Sequence, residues 1–268
     1  MAELSRGVIS RGVGATCLAA GALVGVFVGG TIGAIAGVLL MMVGFQALTR
    51  GVEGGPYIVA GIVTTAGLVL VAWRHGLSWT SLGLGHTTWV TGALWSLGIV
   101  LAVGTVIGAA GGIPRLHHLF ADDRITEVSG GVTARKALLD IPFGTVLIEE
   151  FAFRGVLLAL GTIVWSTPWA VAWTSLLFGL WHISPALEMH GSHNATQGSS
   201  WTTVLGTVLF TGLSGAGFAL LRLYTGSLFP PAALHWAANG TGVVVGWWVH
   251  RRKRANEELL ARYDEDEL

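Results

Sequence analysis

The sequence predicts an all-α fold, a polytopic bundle of about eight membrane-spanning helices. Three observations lead there. Just over half of the 268 residues are apolar and only 11% are charged, less than half the charged share of an ordinary soluble domain. The apolar residues fall into runs of roughly 20, the length that crosses a bilayer as a helix. The arginines and lysines fall almost entirely on one side of the membrane once those runs are threaded back and forth.

The first apolar stretch, Val13 to Leu48, is too long for one crossing and fits two, with Gly29-Gly30 as the turn. Further spans are expected at Tyr57–Trp73, Thr88–Gly112 and Lys136–Ile163, then, after Pro168, at Trp169–Ile183, Trp201–Tyr224 and Pro231–His250. With eight crossings both ends share a side. That side holds Arg6, Arg11, Arg50, Arg115, Arg124, Arg135, Lys136, Arg251, Arg252, Lys253, Arg254 and Arg262, against only Arg74 and Arg222 opposite. The positive-inside rule then places both termini in the cytoplasm of a multi-pass plasma-membrane protein. Arg6 and Arg11 ahead of an apolar run resemble a signal peptide, but the run is too long and too many spans follow, so a retained signal anchor is expected.

Several function classes drop out. Net charge is zero, so nothing argues for nucleic acid, and the expected surroundings are the lipid bilayer. The single cysteine, Cys17, forms no intrachain disulfide and reads as a small core residue. No internal repeat marks a transporter of two related halves. The segment His75–His86 suits an interfacial helix or a plain loop, and the acidic tail from Ala255 is expected to be solvated and partly disordered.

Charges within hydrocarbon cost about 2.5–3.5 kcal/mol each on insertion scales and so need a reason. The spans carry three polar groups. In Glu149-Glu150-Phe151-Ala152-Phe153-Arg154-Gly155, Glu150 and Arg154 are four apart and pair on one helix face. Glu149, about 100° around the axis, is left without a local partner, as a general base or acid would be. A buried ion network that only fixes packing is the plain alternative. Phe178-Gly179-Leu180-Trp181-His182 ends the next span, where Gly179 lets another backbone approach closely. His235 and Asn239 in the last span are four apart and share a face, either as interhelical glue or as hydrogen-bond donors in a site. Together the three groups supply a carboxylate, two imidazoles and an amide, the parts for activating a water and stabilising an oxyanion.

In order and spacing these motifs, Glu149-Glu150…Arg154, Phe178…His182 and His235…Asn239, resemble the CPBP family of CAAX-prenyl-endopeptidase-like and bacteriocin-processing membrane proteins. Gly155 and the lead-in Tyr224-Thr225-Gly226-Ser227-Leu228 with Pro230-Pro231 fit as well. The resemblance covers roughly Lys136 to Gly246, a protease-like core (136–246) within a single membrane domain (1–268), preceded by N-terminal spans (13–130) and followed by a cytoplasmic tail (251–268). It implies an intramembrane endopeptidase acting on membrane-anchored peptides or proteins. Glu149 and His182 would hold and deprotonate the attacking water, His235 and Asn239 would donate to the oxyanion, and Glu150 with Arg154 would support them. That scheme needs no cofactor. A zinc-dependent version would use Glu149, His182 and His235 as ligands, without the compact His-Glu-x-x-His of helical zinc proteases. A transporter lined by the buried charges and an idle immunity scaffold are the non-peptidase alternatives.

Other polar clusters, Glu188 with His190 and His193, and His117-His118 with Asp122-Asp123, read as solvated loops. Asp140 is expected at the start of the motif helix, where its charge suits the dipole, with no catalytic role. One geometric conflict follows from ideal, perpendicular spans. His182 would lie nearer the cytoplasmic end than Glu149 and His235 nearer the outer end, by on the order of a helical turn or two.

Overall fold

A computed structural model describes residues 2–120, 128–190 and 200–266. Among the described residues the chain is helical with short connections. The helices are α1 (Ala2–Phe27), α2 (Gly30–Thr49), α3 (Gly55–Arg74), α4 (Trp89–Gly111), α5 (Gly130–Arg135), α6 (Leu147–Glu150), α7 (Leu158–Val164), α8 (Thr167–Trp181), α9 (Ile183–His190), α10 (Ser200–Thr225) and α11 (Phe229–Asp266). Helices α5, α6 and α7 form one composite helix, joined by two π-helical stretches, Lys136–Val146 and Phe151–Leu157. Pro142 lies in the first. It has no N–H for an ordinary helical bond and its ring crowds the carbonyl four residues back, and the wider winding relieves both.

Among the described residues, six helical segments are long and apolar enough to cross a membrane: Ser10–Phe27, Gly30–Thr49, Gly55–Arg74, His86–Gly111, Thr167–Leu187 and Trp201–Thr225. The other two expected crossings are the composite helix, broken by its changes of winding and carrying Asp140, Glu149, Glu150 and Arg154, and the first half of α11. Contacts between chain-distant segments support the alternation. At one end of the bundle His75 Nε2 donates to the Gly25 carbonyl (2.7 Å), the Leu228 N–H donates to the Gly83 carbonyl (2.8 Å) and Arg222 reaches the Ser81 carbonyl (2.7 Å). At the other, Gln46 donates to the Trp181 carbonyl (3.0 Å), Lys136 faces Glu53 (3.8 Å) and Trp247 donates to the Val128 carbonyl (3.0 Å).

Two sequence expectations change. The tail beyond Ala255 continues α11 as helix to Asp266, exposed as far as Leu260. Glu257, Glu258, Leu259 and Leu260 are strong helix formers, and Lys253 sits 3.8 Å from Glu257 one turn on. Asp140 does not start the motif helix, which begins at Gly130 behind a Ser129 cap. It is buried within the first π stretch. The segment 75–86 is a loop, with only a short turn of helix at His86–Thr88. It folds onto the bundle, with Leu82 buried and Trp79 exposed.

The core runs through α2, α3 and the composite helix, around Met41, Leu68, Ile148, Phe151 and Leu157. Helices α1 and α2 close on it by backbone contact: a Cβ at Gly37 would strike the Gly25 backbone. Such small-residue crossings substitute for the hydrophobic drive that lipid removes. Replacement Gly37→Ala is therefore expected to destabilise the protein by about 1–3 kcal/mol through overpacking. Gly98→Ala, where the added methyl meets nothing within 4 Å, should leave stability unchanged. Denaturant unfolding in detergent micelles compares the two.

Candidate active site

The site is built on the composite helix. Glu149, Glu150 and Arg154 are all buried there, the last two almost completely. Arg154 Nη1 donates to Glu150 Oε1 at 2.9 Å, the expected four-residue pair. The guanidinium also lies over the Phe178 ring at 3.9 Å and the Phe218 ring at 4.9 Å, so the cation is held between aromatic faces as well as by its carboxylate. Space for it comes from Gly215 on α10, where a Cβ would lie 3.2 Å from Arg154 Nη2.

From α11, His235 completes the cluster. Its Nδ1 is 2.8 Å from Glu150 Oε1, the oxygen that also accepts from Arg154, and its ring stacks on Phe218 (centroids 5.4 Å, 27° between planes). With Nδ1–H given to Glu150, Nε2 points to the Glu149 side and lies 3.9 Å from Glu149 Oε2. That gap is too long for a direct hydrogen bond, and a water lying beside both atoms can bond to each. Glu149 Oε1 accepts from Trp181 Nε1 at 2.9 Å, while Oε2 is buried with no hydrogen-bond partner among the described residues. Both glutamates keep an unpartnered Oε2, but Glu150 is tied through Oε1 to a guanidinium and an imidazole, whereas Glu149 is tied to the Trp181 indole alone and lines the cleft.

His182 caps the C-terminal end of α8. Its Nδ1–H donates to the Phe178 carbonyl at 2.8 Å, and Nε2 has no hydrogen-bond partner among the described residues. The Phe178 ring packs edge-on against both imidazoles, His182 at 4.7 Å and His235 at 6.0 Å. Helix α8 is held close to α10 where Gly179 meets Gly212, with the Gly179 Cβ position 3.3 Å from the Gly212 backbone, the close approach expected from sequence. Asn239 behaves differently. It is exposed, one turn beyond His235, and no side chain among the described residues hydrogen-bonds to it.

The depth conflict expected from ideal spans is resolved by two features. The composite helix and α8 form an antiparallel hairpin about Trp165–Ser166, and Glu149 and His182 lie nearly the same number of residues from that turn. They therefore stand at the same depth. His235 reaches the same level because the α10–α11 turn is drawn into the bundle: Ser227 and Leu228 are buried, and Leu228 is bonded to the inward-folded Gly83 loop. Non-helical backbone at that depth is tolerated when protein encloses it, and buried Arg222 satisfies the loop carbonyls of Thr80 and Ser81.

A cavity of about 340 Å³ leads to Glu149 from the Arg50 and Lys136 end, with Tyr57, Asp140 and Trp181 in its wall. His182, His235 and Asn239 do not line it. The described parts of the other sequence candidates make local bonds only. His117 Nε2 bonds the Gly111 carbonyl (3.0 Å) and His118 Nδ1 the Arg115 carbonyl (2.9 Å), while Asp122, Asp123 and His193 lie outside the described residues, and of Glu188 and His190 only the α9 backbone is described. Cys17 is half-buried in α1.

Sequence reasoning missed Trp181, Phe218 and Tyr57. Trp181 had a signal, since an indole N–H inside a span needs an acceptor. Phe218 had none, because its role depends on how α10 is turned. In both histidines Nδ1 is taken, by Glu150 and by the Phe178 carbonyl, so only the Nε2 atoms could serve as ligands in the zinc arrangement of Glu149, His182 and His235; among the described residues no three His, Cys, Asp or Glu side chains converge as a ligand set.

Fold and site together define a multi-pass membrane protein that encloses a carboxylate–imidazole centre at the inner end of a cleft. Residues 135–241 match the family model described as Type II CAAX prenyl endopeptidase Rce1-like, a segment that contains all three motifs and bears out the resemblance to CAAX-protease-like membrane proteins. No curated protein and no solved structure matches the chain. The match supports a CAAX-type intramembrane endopeptidase, a hydrolase acting at the membrane.

The charge cluster makes a stability prediction. Arg154→Met keeps the side-chain length but leaves Glu150 short of its cation, and should cost about 3–5 kcal/mol as an uncompensated buried charge. The double variant Glu150→Gln/Arg154→Met should recover much of that loss, measured by the same unfolding assay.

Proposed function

We propose that the protein hydrolyses peptide bonds of membrane-anchored peptides or proteins by a metal-free glutamate mechanism centred on Glu149. The observation that carries this reading is the division of labour between adjacent carboxylates. Glu150 is tied to Arg154 and His235, while Glu149 has one oxygen fixed by Trp181 and the other unpartnered at the inner end of the cleft. A water bonded to that oxygen is positioned for deprotonation as it attacks a carbonyl carbon.

In the proposed reaction the water oxygen bonds to the scissile carbon and its proton passes to Glu149. The carbonyl π pair becomes an oxyanion. Collapse of the tetrahedral intermediate breaks the C–N bond, and Glu149 returns the proton to the leaving amine. His182, through Nε2, holds the water from the second side. His235 and, once its exposed side chain turns inward, Asn239 donate to the oxyanion, which is worth several kcal/mol per well-placed donor. Glu150 and Arg154 act through His235 by fixing its ring. The catalytic core is assigned to residues 136–246, with the N-terminal spans 13–130 as its packing partner. The arginine-rich end, which carries the cleft mouth, both termini and the tail 251–268, is assigned to the cytoplasm of a cell with this chain in its plasma membrane.

Purified wild type and Glu149→Gln, incubated in detergent with a library of membrane-anchored peptides and read by mass spectrometry, test the proposal. Wild type should cleave and Glu149→Gln should fold but lose on the order of a thousandfold or more in rate. A chelator should leave wild-type cleavage intact; its loss would assign the chemistry to a metal instead. Equal cleavage by both proteins would remove Glu149 from the mechanism.

A further inference from the structure

The cleft that ends at Glu149 has a second buried carboxylate in its wall. Asp140 is 7% exposed. Its Oδ2 lies 3.4 Å from Arg135 Nη2, and its Oδ1 is buried with no hydrogen-bond partner among the described residues. Asp140 lines both the cavity at Glu149 and an adjoining one of about 170 Å³. The helix dipole does not account for the charge, since the helix begins at Gly130. Nearby cations are otherwise engaged: Lys136 faces Glu53 at 3.8 Å and Arg50 bonds Ser184 Oγ at 2.9 Å. A buried carboxylate oxygen with no donor is costly to keep, and the residue that carries this one lines a space large enough to hold a side chain.

We propose that Asp140 is a specificity residue of the cleft, binding the positively charged side chain of a lysine or arginine in the peptide whose scissile bond lies at Glu149. The assignment rests on the peptidase reading above. Geometry sets where the basic residue falls. Glu149 lies nine positions along the helix from Asp140, about 13 Å at the ordinary helical rise and less where the winding is π. An extended peptide covers that distance in about three to four residues. The aliphatic stem of the basic side chain packs along Ile141 and Tyr57, which also line the cavity, while its charged head draws the Asp140 carboxylate towards the cavity and pairs with it. Arg135 holds Oδ2 and keeps the carboxylate turned.

The test uses the full chain in detergent. Cleaved bonds from the peptide library are mapped first. Peptide pairs are then made with Lys or Ala at each position two to five residues from the mapped bond, on both sides. At one position wild type should cleave the Lys peptide with kcat/KM about tenfold or more above its Ala partner, the worth of a charge-assisted bond to a buried group. Asp140→Asn should bring that ratio to about one and Asp140→Glu should retain it; the ratio within each variant cancels any loss of folded protein. No preference in wild type at any position, or a preference that survives Asp140→Asn, would overturn the proposal and leave the peptidase reading standing. If wild type cleaves nothing, the same fluorescent peptides are titrated by anisotropy. Tighter binding of Lys over Ala peptides that is lost in Asp140→Asn would uphold the cleft while removing the peptidase reading, and equal or absent binding would overturn the proposal.

Discussion

The structure depends on one shared oxygen. Glu150 Oε1 accepts from both Arg154 and His235, and through it four helical segments are tied: the composite helix, α11 and, by the aromatic rings around the guanidinium, α8 and α10. Charges so deep are costly, and the Glu150–Arg154 pair with its aromatic enclosure offsets part of that cost. A pair of this kind adds less to stability than an apolar core of the same volume would. Its effect is to fix which face of each helix looks inward, and with that, where Glu149 is left.

Glu149 gains its character by contrast with its neighbour. It lies one residue away and turned about 100° around the axis, so it cannot share the guanidinium. The composite helix is π-wound on both sides of the pair, a form that recurs at functional sites because it re-aims side chains within a continuous helix. The hairpin with α8 brings Trp181 alongside, and the inward fold of the 75–88 loop, held by Arg222, lets α11 start deep enough for His235 to arrive at the same level. The first spans carry no part of this centre, but α2 and α3 supply the apolar wall on which the composite helix packs, and Tyr57 and Gln46 at their ends shape the cleft.

Much of this was legible in the sequence. The helix count followed from run length and from the arginine asymmetry, and the Glu150–Arg154 pair followed from a spacing of four on a helix. Glu149 stood out because that pairing left it alone, and Gly179 marked the close crossing of α8 on α10. Other features were not legible, for physical reasons. Depth was misjudged because loop burial at Ser227 and Gly83 is a tertiary event that no apolar run reports. Asp140 was placed at a helix start because the apolar run of that span begins at Lys136, whereas Ser129 caps a helix that begins at Gly130. Asn239 shares a helix face with His235, but face-sharing does not imply contact, and only the packing around α11 shows that one side chain is enclosed and the other exposed. The tail read as disordered from its charge, although the same glutamates, leucines and lysines are good helix formers once a preceding span nucleates them.

The central claim is that two adjacent buried carboxylates differ in kind, Glu150 sealed and Glu149 open to the cleft. Labelling native wild-type protein in detergent with a small carbodiimide and an amine tag, followed by digestion and peptide mapping, measures this without any substitution. The account predicts that Glu149 is modified and Glu150 is not until the protein is unfolded. Modification of Glu150 at the same rate as Glu149, or of Glu150 alone, would contradict it.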